Sequence, residues 1–307
     1  MSCSAVIGEM LSHVGFDGAY EPDGDGIFRF EANGFEIALR ETDDYPVHGM
    51  RSLAVWAPFG ALPSDGANAY ADWMLRANAR PETLAGGALS LENGTCYLHR
   101  VLDARLLDAG TLERELTAFV GVLADWRDRL RSGVVPDDVG FLRIEGNWRM
   151  DLSEILRGLA GLLELRTDLA PDATGAVRID LPEGQVVLRE NGETRQFTLR
   201  SDAGPVPEPG AGHFKEVLLK GCFLGRYAGG GRLALSQDGR FFLELSIPSD
   251  TADADVMARA VRAQAWLAGA WREMAGEYGP VAGRMLKARE EEMKLLRRMI
   301  VSRFLRV

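Results

Sequence analysis

The side chains that most often carry chemistry are few and widely spaced in this chain of 307 residues. Four histidines and three cysteines occur: His13, His48, His99, His213, Cys3, Cys96 and Cys222. An odd number of isolated cysteines, without a Cys-x-x-Cys pair or a Cys/His cluster, predicts neither a disulfide framework nor a zinc site. We interpret the cysteines as plain thiols and the histidines as structural residues.

Catalytic and phosphate-binding motifs are also missing from the sequence. It contains no Gly-x-Ser-x-Gly, no His-Glu-x-x-His, no Walker loop and no dinucleotide fingerprint after a strand. The glycines at 229–231 precede a predicted strand rather than a helix N-terminus, so they lack the geometry of an anion site. The acid pairs Asp43-Asp44 and Asp137-Asp138 lie in predicted loops and are interpreted as solvated charge. We predict a protein that is not an enzyme and has no cofactor or metal site.

Composition and charge restrict the class of protein further. The net charge is −10, with 46% hydrophobic and 26% charged residues, which is typical of a globular protein. Excess acid disfavours nucleic acid as a partner, because phosphates require a basic surface, and suits basic or aggregation-prone protein partners. No apolar run is long enough to span a membrane, and the N-terminus lacks a basic leader. A cytoplasmic location is expected.

One block of the sequence occurs twice, about 145 residues apart. Residues 72–102 and 216–247 each contain a helix end, a glycine break and two short alternating strands. The strands flank Asn93-Gly94 in the first copy and Asp238-Gly239 in the second, and such turns are strong hairpin signals. A Trp-Arg pair recurs at the same spacing further on: Trp126-Arg127 and Trp271-Arg272. We therefore interpret the chain as a tandem duplication.

Each half is predicted to be an α-β-β-β-α-β-β-α unit of the α+β class, with helices backing an antiparallel sheet. The first half has predicted helices at 4–14, 67–79 and 112–131, and strands at 27–31, 35–40, 51–57, 88–91 and 95–101. The second has helices at 152–163, 213–222 and 255–278, and strands at 176–180, 185–190, 194–200, 232–235 and 240–247. Residues 202–212, rich in Pro, Gly and Ala, are predicted to be a loop.

These patterns divide the chain into a first domain (1–133), a linker (134–149), a second domain (150–278) and a C-terminal segment (279–307). Pro280 lies at the start of this last segment. The segment is predicted to be a basic amphipathic helix, with Leu286, Met293 and Ile300 at seven-residue spacing. Three roles stay open for it: association with a partner or another copy, packing on the acidic domains, or binding at a membrane surface, the least favoured.

The order of elements resembles the class I type III secretion chaperones, the Tir chaperone group. The resemblance rests on the ordered set of strands and helices, on Leu75-Arg76-Ala77-Asn78 before the glycine pair, and on the late tryptophan of the closing helix. It covers about residues 4–131 well and about 151–275 more loosely, where Cys222 replaces Asn78. Members of this family are small acidic cytoplasmic homodimers without catalytic residues or a cofactor, and they hold part of a secreted effector in an extended state.

The resemblance implies an intramolecular pseudo-dimer, in which two fused copies replace two identical subunits. The helix before the fourth strand of each half would then line the inter-domain contact through these residues: Tyr70, Trp73, Met74, Leu75, Phe214, Val217, Leu218 and Leu219. The alternative is that they only close the core of their own half.

Client binding would use an exposed sheet edge and apolar patches that receive side chains of an extended strand. The candidate partner-binding residues are Phe28, Phe30, Trp56, Phe59, Val177, Ile179, Val187 and Phe197. Trp56 and Phe59 are the favoured members, because Trp56 opposes the face formed by Leu53 and Val55, and Phe59 follows Pro58. The alternative for each of the eight is a place in the core.

Three functions follow from these patterns. The first is a non-enzymatic chaperone-like protein that binds an extended segment of a secreted effector in the cytoplasm. The second is an adaptor or sensor of the same fold that docks a protein partner through the C-terminal helix, with self-association through that helix as a variant. The third is an enzyme with a site assembled across the two halves, which converging titratable groups with shifted pKa values would indicate.

Overall fold

The computed structural model describes residues 3–14, 17–19, 21–42, 52–104, 107–132, 152–166, 168–191, 196–208, 210–225, 227–249 and 252–285. Elements of the first half are α1 Cys3–Val14, β1 Asp17–Ala19, β2 Ile27–Ala32, β3 Phe35–Thr42, β4 Ser52–Ala61, α2 Ala67–Asn78, β5 Ala88–Glu92, β6 Thr95–Asp103 and α3 Ala109–Ser132. Those of the second are α4 Leu152–Leu162, β7 Ala176–Leu181, β8 Gly184–Asn191, β9 Gln196–Pro205, α5 Ala211–Cys222, β10 Arg232–Leu235, β11 Arg240–Pro248 and α6 Ala254–Met285.

Two compact units make up the chain. Unit 1 takes in Met1–Arg143 together with Leu218–Arg226, and unit 2 takes in Ile144–Val217 and Tyr227–Val307. The short segment Leu218–Arg226 is the last part of α5 and the turn of 3-10 helix after it. It therefore belongs by its contacts to unit 1, although it lies within the second sequence repeat.

Each unit contains one antiparallel sheet. The strand order is β1-β2-β3-β4-β6-β5 in unit 1 and β10-β11-β9-β8-β7 in unit 2. Apart from β1, strand follows strand in the same order in the two sheets, and helices pack against each sheet. The predicted α+β class and its duplication are confirmed.

The hairpins form where local sequence favours them. Asn33 and Gly34 have φ of 51° and 72°, and Asn93 and Gly94 have φ of 51° and 79°. A two-residue turn with both residues at positive φ matches the twist of the flanking strands, and Asn and Gly tolerate this conformation. These turns set the register that sends alternate side chains to opposite faces of the sheet.

Two glycines before β5 and β10 are required for a different reason. A Cβ on Gly87 would lie 2.8 Å from the carbonyl oxygen of His99, and one on Gly231 would lie 2.3 Å from that of Glu244. Both contacts are with backbone of the neighbouring strand. The glycine breaks of the repeated block therefore let the chain pass close to the strand with which it is about to pair.

The closing helices bury one face against each sheet. Trp126 of α3 lies with its ring centroid 4.2 Å from that of Trp73 and 6.2 Å from that of Phe59. Trp271 of α6 packs on Phe241 and donates a hydrogen bond from Nε1 to the carbonyl of Tyr227 at 2.8 Å. The recurring tryptophan is thus a core residue in both units.

The arginine that follows each tryptophan lies against the sheet. The Arg127 guanidinium is 4.1 Å from the Phe35 ring centroid, and Arg272 donates to the carbonyl of Asp202 at 2.7 Å. The Trp-Arg motif therefore joins each closing helix to its own sheet.

The structure corrects the sequence prediction in three places. β1 was not predicted, because three residues are too few to show alternation. The predicted loop at 202–212 is wrong at its ends: β9 continues to Pro205 in register with β11, and α5 begins at Ala211. The glycine and proline content at 202–205 predicts a loop, but pairing with the distant strand β11 keeps these residues extended.

The helix boundary predicted at Gly279 is also absent, since α6 continues through Pro280 to Met285. Proline removes one backbone donor but does not by itself end a long helix. Other predictions lie outside the described residues, namely the linker at 134–149, the tail from residue 286, His48, and the acid pairs at 43–44 and 137–138.

Candidate functional site

Six of the eight predicted partner-binding side chains lie in the cores of the two units. They are each exposed by 5% or less: Phe28, Phe30, Phe59, Val177, Ile179 and Phe197. Trp56 and Val187 are half-buried, because they point to the opposite, outer face of their sheets. Only these two present apolar area at the surface, and the role predicted for the others would require the core to open.

The eight residues predicted to line an inter-domain contact are all buried as well: Tyr70, Trp73, Met74, Leu75, Phe214, Val217, Leu218 and Leu219. Packing within the units accounts for two of them. Trp73 stacks on Trp126, while Phe214 has ring centroids of Phe241 and Tyr278 at 5.4 Å and 5.0 Å. Their part in joining the halves stays a prediction.

An amide side chain clamps the end of α2 to β5. Asn78 donates from Nδ2 to the carbonyl of Leu89 at 3.0 Å, and its Oδ1 accepts from the backbone N–H of Leu89 at 2.7 Å. Cys222 lies beside this clamp, with its sulfur 3.7 Å from Nδ2. The Leu-x-x-Asn motif is therefore structural, and a thiol at the equivalent position of the second repeat cannot repeat the two-sided clamp.

Matching turns lead into the first hairpin of each unit. Asp23 and Asp172 each accept the backbone N–H of the first strand residue, Ile27 at 3.0 Å and Ala176 at 3.1 Å. Backbone hydrogen bonds, from Ile27 above all, lower the pKa of Asp23. The pKa of Asp172 is lowered by hydrogen bonds that begin with the Thr174 hydroxyl. This Asp-x-x-Gly turn is a second signature of the duplication that the sequence prediction missed.

The two hairpins after these turns have the same register but differ at their outer edges. Phe28 pairs with Leu39 in unit 1 as Val177 pairs with Leu188 in unit 2. In unit 1 the edge is covered by β1, which pairs antiparallel with residues 29–31. Among the residues that the structure describes, no strand pairs with the equivalent residues 178–180 of β7.

The free edge is short and has defined donors and acceptors. In an antiparallel hairpin, alternate residues direct their N–H and C=O groups away from the partner strand. The two-residue turn after Leu181 makes Arg178 and Asp180 the outward residues of β7. Ala176, the next outward residue, has both backbone groups bonded to Asp172. Two residues of β7 are thus positioned to pair with another strand.

The outer faces of the two sheets carry different chemistry at equivalent positions. The row across unit 1 is Ala88, His99, Trp56, Ala38 and Arg29. The row across unit 2 is Arg232, Glu244, Arg200, Val187 and Arg178. Trp56 therefore corresponds to Arg200, and Val187 to Ala38. Duplication has preserved the backbone and altered the side chains on this face of the sheet.

A buried ion pair lies at one end of the unit 2 row. Arg232 and Glu244 are each 5% exposed, and Nη2 of Arg232 lies 2.5 Å from Oε1 of Glu244. The same nitrogen donates to the Ser246 hydroxyl at 3.3 Å. A charge this buried is tolerated because its partner is close, so either residue alone would be strongly unfavourable.

Two further titratable side chains, those of His99 and Cys96, are buried in unit 1. His99 lies 3.1 Å from the Ser90 hydroxyl, with ring contacts to Phe223. Burial raises the pKa of the Cys96 thiol to about 12, so this residue is a poor nucleophile at neutral pH. Within the described ranges, no group of three or more His, Cys, Asp or Glu side chains is arranged to hold a metal ion.

One groove is present in unit 2, between α4 and the segment that precedes β7. Its volume is about 630 Å³, and its lining is mostly apolar: Leu152, Leu156, Ala160, Leu169 and Pro171, with Arg157 and Asp168 as its charged members.

Among the described residues, no helix is long and apolar enough to cross a membrane.

Comparison with known proteins identifies the family. The model of the Tir chaperone protein (CesT) family matches residues 45–127 and 154–272, which together make up well over half of the chain. The chain therefore belongs to this family, with one match in each repeat, and the resemblance stated above is confirmed. Comparison with curated proteins gives no match.

Two solved structures are similar to parts of the chain. One is described as the structure of the HopA1-SchA chaperone-effector complex, with 20% identity and a TM-score of 0.33, covering 41% of this chain and 99% of the other. The second is described as the crystal structure of the ExsC-ExsE complex, with 19% identity and a TM-score of 0.32, covering 43% of this chain and 96% of the other.

Sequence reasoning missed the residues that distinguish the two surfaces. Arg200 and Gln185, which stand where unit 1 has Trp56 and Glu36, were not selected, because single polar residues in alternating strands look like ordinary solvent-facing positions. A signal was nevertheless present in the alignment of the two repeats. Aligning the two repeats on their Asp-x-x-Gly turns places Gln185 at the position of Glu36, which shows that an acid of the first repeat is replaced by a neutral residue in the second.

Proposed function

We propose that this protein is a non-enzymatic type III secretion chaperone that binds an extended segment of a secreted effector polypeptide in the cytoplasm. Membership of the Tir chaperone family supports the class. The observation that carries the binding mode is the contrast between the two sheet edges, with β1 on one and no described strand on the other.

The pairing of β1 with β2 is a template for the proposed client strand. β1 lies antiparallel to residues 29–31, at the positions equivalent to residues 178–180. A client strand on β7 would have the same direction and register, with main-chain hydrogen bonds supplying affinity. The equivalent edge in unit 1, that of β2, is already occupied by β1. The proposal therefore assigns strand addition to β7 in unit 2.

We further propose that the two repeats act as an intramolecular pseudo-dimer. The family resemblance implies homodimers, and fusion of two copies supplies both halves of such an assembly within one chain. Fusion also frees the halves to diverge, and the replacement of Trp56 by Arg200 at equivalent positions is a divergence of this kind.

The function is tested with a client isolated from the native host. Polypeptides that co-purify with the full chain are identified, and amide exchange of β7 is measured with and without the recovered segment. Protection of the Arg178 and Asp180 amides, with the client remaining extended, is the expected result. A folded partner that leaves β7 unchanged would contradict the proposal.

A variant separates strand pairing from side-chain contact. Asp180→Pro removes an outward N–H at an edge position, where proline is tolerated, and is expected to weaken client binding. Asp180→Asn, which keeps the N–H, is the matched control and should bind as the parent does. Equal binding by both variants would exclude strand addition at β7.

The competing adaptor function predicts a different dependence. A partner bound through the C-terminal helix would be lost when the chain is shortened to end at Met285, whereas a client held on β7 would be retained. Retention of a folded partner by residues 286–307 alone would favour the adaptor.

A further inference from the structure

The outer face of the unit 2 sheet has an apolar centre framed by positive charge. Val187 is directly opposite Arg178 on β7 and Arg200 on β9, and Arg189 is two residues further along the same strand. Side chains directly opposite each other have Cβ atoms about 5 Å apart, and residues i and i+2 share a face. Three guanidinium groups therefore surround one half-buried valine, and all three are exposed. We name this set the Val187 frame.

Unit 1 carries arginines at two of the equivalent positions, Arg29 and Arg40, and Arg29 is paired with two acids. Ala38 has Arg29 and Trp56 as its opposite residues, and Glu36 lies two residues before it. Arg29 forms ion pairs with Glu36 at 3.1 Å and with Asp23 at 3.4 Å. The first unit thus presents an aromatic ring where the second presents a cation.

Two replacements between the repeats increase the positive charge of the Val187 frame. Gln185 occupies the place of Glu36 and Arg200 that of Trp56, and each replacement adds one positive unit. Gln185 donates to Asp180 at 2.8 Å rather than accepting from an arginine. Arg178 forms an exposed ion pair with Asp172 at 3.9 Å, the counterpart of the pair between Arg29 and Asp23.

The carboxylates near Arg200 are already paired with other arginines. Glu244 is bound to Arg232, and Asp202 accepts from both Nε and Nη2 of Arg240. The Arg200 guanidinium lies 3.4 Å from the Phe242 ring centroid, which holds it flat on the sheet.

Arg200 has both acidic and basic neighbours. Desolvation by burial is the largest influence and lowers the pKa of its guanidinium. Among the charged neighbours, Glu244, Asp202 and Asp238 raise that pKa and Arg189 lowers it. Arg189 and Arg200 are thus close enough for each to feel the charge of the other, and an anion placed between them would be attracted to both.

We infer that the Val187 frame binds an acidic stretch of polypeptide, in which an aliphatic side chain contacts Val187 and flanking carboxylates pair with Arg178, Arg189 and Arg200. The inference rests on the proposed function and specifies which client sequence unit 2 selects. It differs from the expectation, based on net charge, that partners are basic. Arginine suits this role because its planar fork matches a carboxylate.

The test uses synthetic peptides and the full chain. In one labelled peptide valines alternate with glutamate and serine, and in a second glutamine replaces every glutamate. The glutamate peptide is expected to bind with an affinity that falls as salt is raised, and the glutamine peptide at least about tenfold more weakly. Equal binding of the two peptides would overturn the inference.

Variants locate the site. Arg189→Gln with Arg200→Gln should weaken binding of the glutamate peptide by about tenfold or more. The matched control is Arg166→Gln with Arg259→Gln, two exposed positions of unit 2 that remove the same charge and should leave binding unchanged. Equal weakening by both pairs would show a general charge effect and exclude a site.

A second variant preserves the stacking of Arg200 on Phe242. Gln185→Glu restores the acid found in unit 1 and is expected to weaken binding of the glutamate peptide. Gln185→Met, which loses the same hydrogen bond to Asp180 without adding a charge, is the matched control and should bind as the parent does. Unchanged binding in Gln185→Glu would contradict the inference even if the double variant failed to fold.

A single-stranded oligonucleotide serves as a polyanion of another class. Binding as tight as that of the glutamate peptide, with the same loss in the double variant, would overturn the assignment to polypeptide. Failure of this test is distinguishable from failure of the proposed function, because protection of β7 by the native client is measured independently.

Discussion

Close backbone contact makes Gly231 one of the most demanding positions in the chain. A Cβ there would overlap the carbonyl group of Glu244, which belongs to the paired strand and cannot rotate away. Gly231→Ala is expected to reduce the free energy of unfolding by about 2–3 kcal/mol, because β10 must separate from β11. Urea unfolding of the full chain measures this loss.

The matched control is Gly276→Ala in the exposed part of α6, where nothing lies within 4 Å of the added Cβ. Alanine favours a helix over glycine, so this change should stabilise by about 0.5–1 kcal/mol. Similar effects from the two variants would contradict the close approach described for β10.

The Asp172 turn predicts a pH dependence of stability. Its hydrogen bonds lower the pKa of the carboxyl group below the ordinary value of 3.8, so the unfolded chain binds the proton more readily than the folded one. The contribution is therefore complete above that value and is lost as pH falls through the lower, folded-state pKa. Asp172→Asn should make stability less dependent on pH between neutral and strongly acidic conditions.

Unfolding followed at several pH values compares this variant with the parent. Asp168→Asn, another exposed acid of the same segment, provides the control and should retain the parental slope. If stability depends on pH equally in Asp172→Asn and in the parent, the turn does not lower the pKa of the Asp172 carboxyl group.

At the scale of elements, the two sheet edges should differ in amide exchange. Arg29 and Glu31 direct their N–H groups toward β1, whereas the equivalent Arg178 and Asp180 direct theirs away from β8 and toward no described strand. We expect slower exchange at the first pair than at the second in the unliganded protein. Inward-bonded Val177 provides an internal reference that should be protected.

Ala19→Pro tests the origin of this difference, because Ala19 lies opposite the outward-directed Arg29 and proline there removes an N–H that faces β2. Exchange at Arg29 and Glu31 should then rise to the level seen in β7. Slow exchange that persists in this variant would mean that something other than β1 protects the edge.

At the scale of the whole molecule, the fused pseudo-dimer predicts a monomer. One chain already carries both repeats, so light scattering should give a mass near 33.6 kDa. Shortening the chain to end at Met285 should leave one copy per particle. A parental dimer that dissociates after this truncation would instead support self-association through residues 286–307.

The sequence alone determined the class, the duplication and most elements. Hairpins at Asn33-Gly34 and Asn93-Gly94 are local events, because the turn residues set the conformation and alternation sets the buried face. The sequence is sufficient to predict a structural feature when that feature depends only on residues adjacent in the chain.

Only the tertiary structure shows which side chains lie on the buried face of each sheet and which lie on its outer face. Phe28 and Val177 could serve as core or surface until pairing sent them inward, and only Trp56 and Val187 of the predicted set lie on the outer faces. The Val187 frame joins three strands, β7, β8 and β9, so no single segment reveals it. The ends of β9 likewise depend on β11. Such features depend on which strands pair, and strand pairing is a property of the assembled sheet.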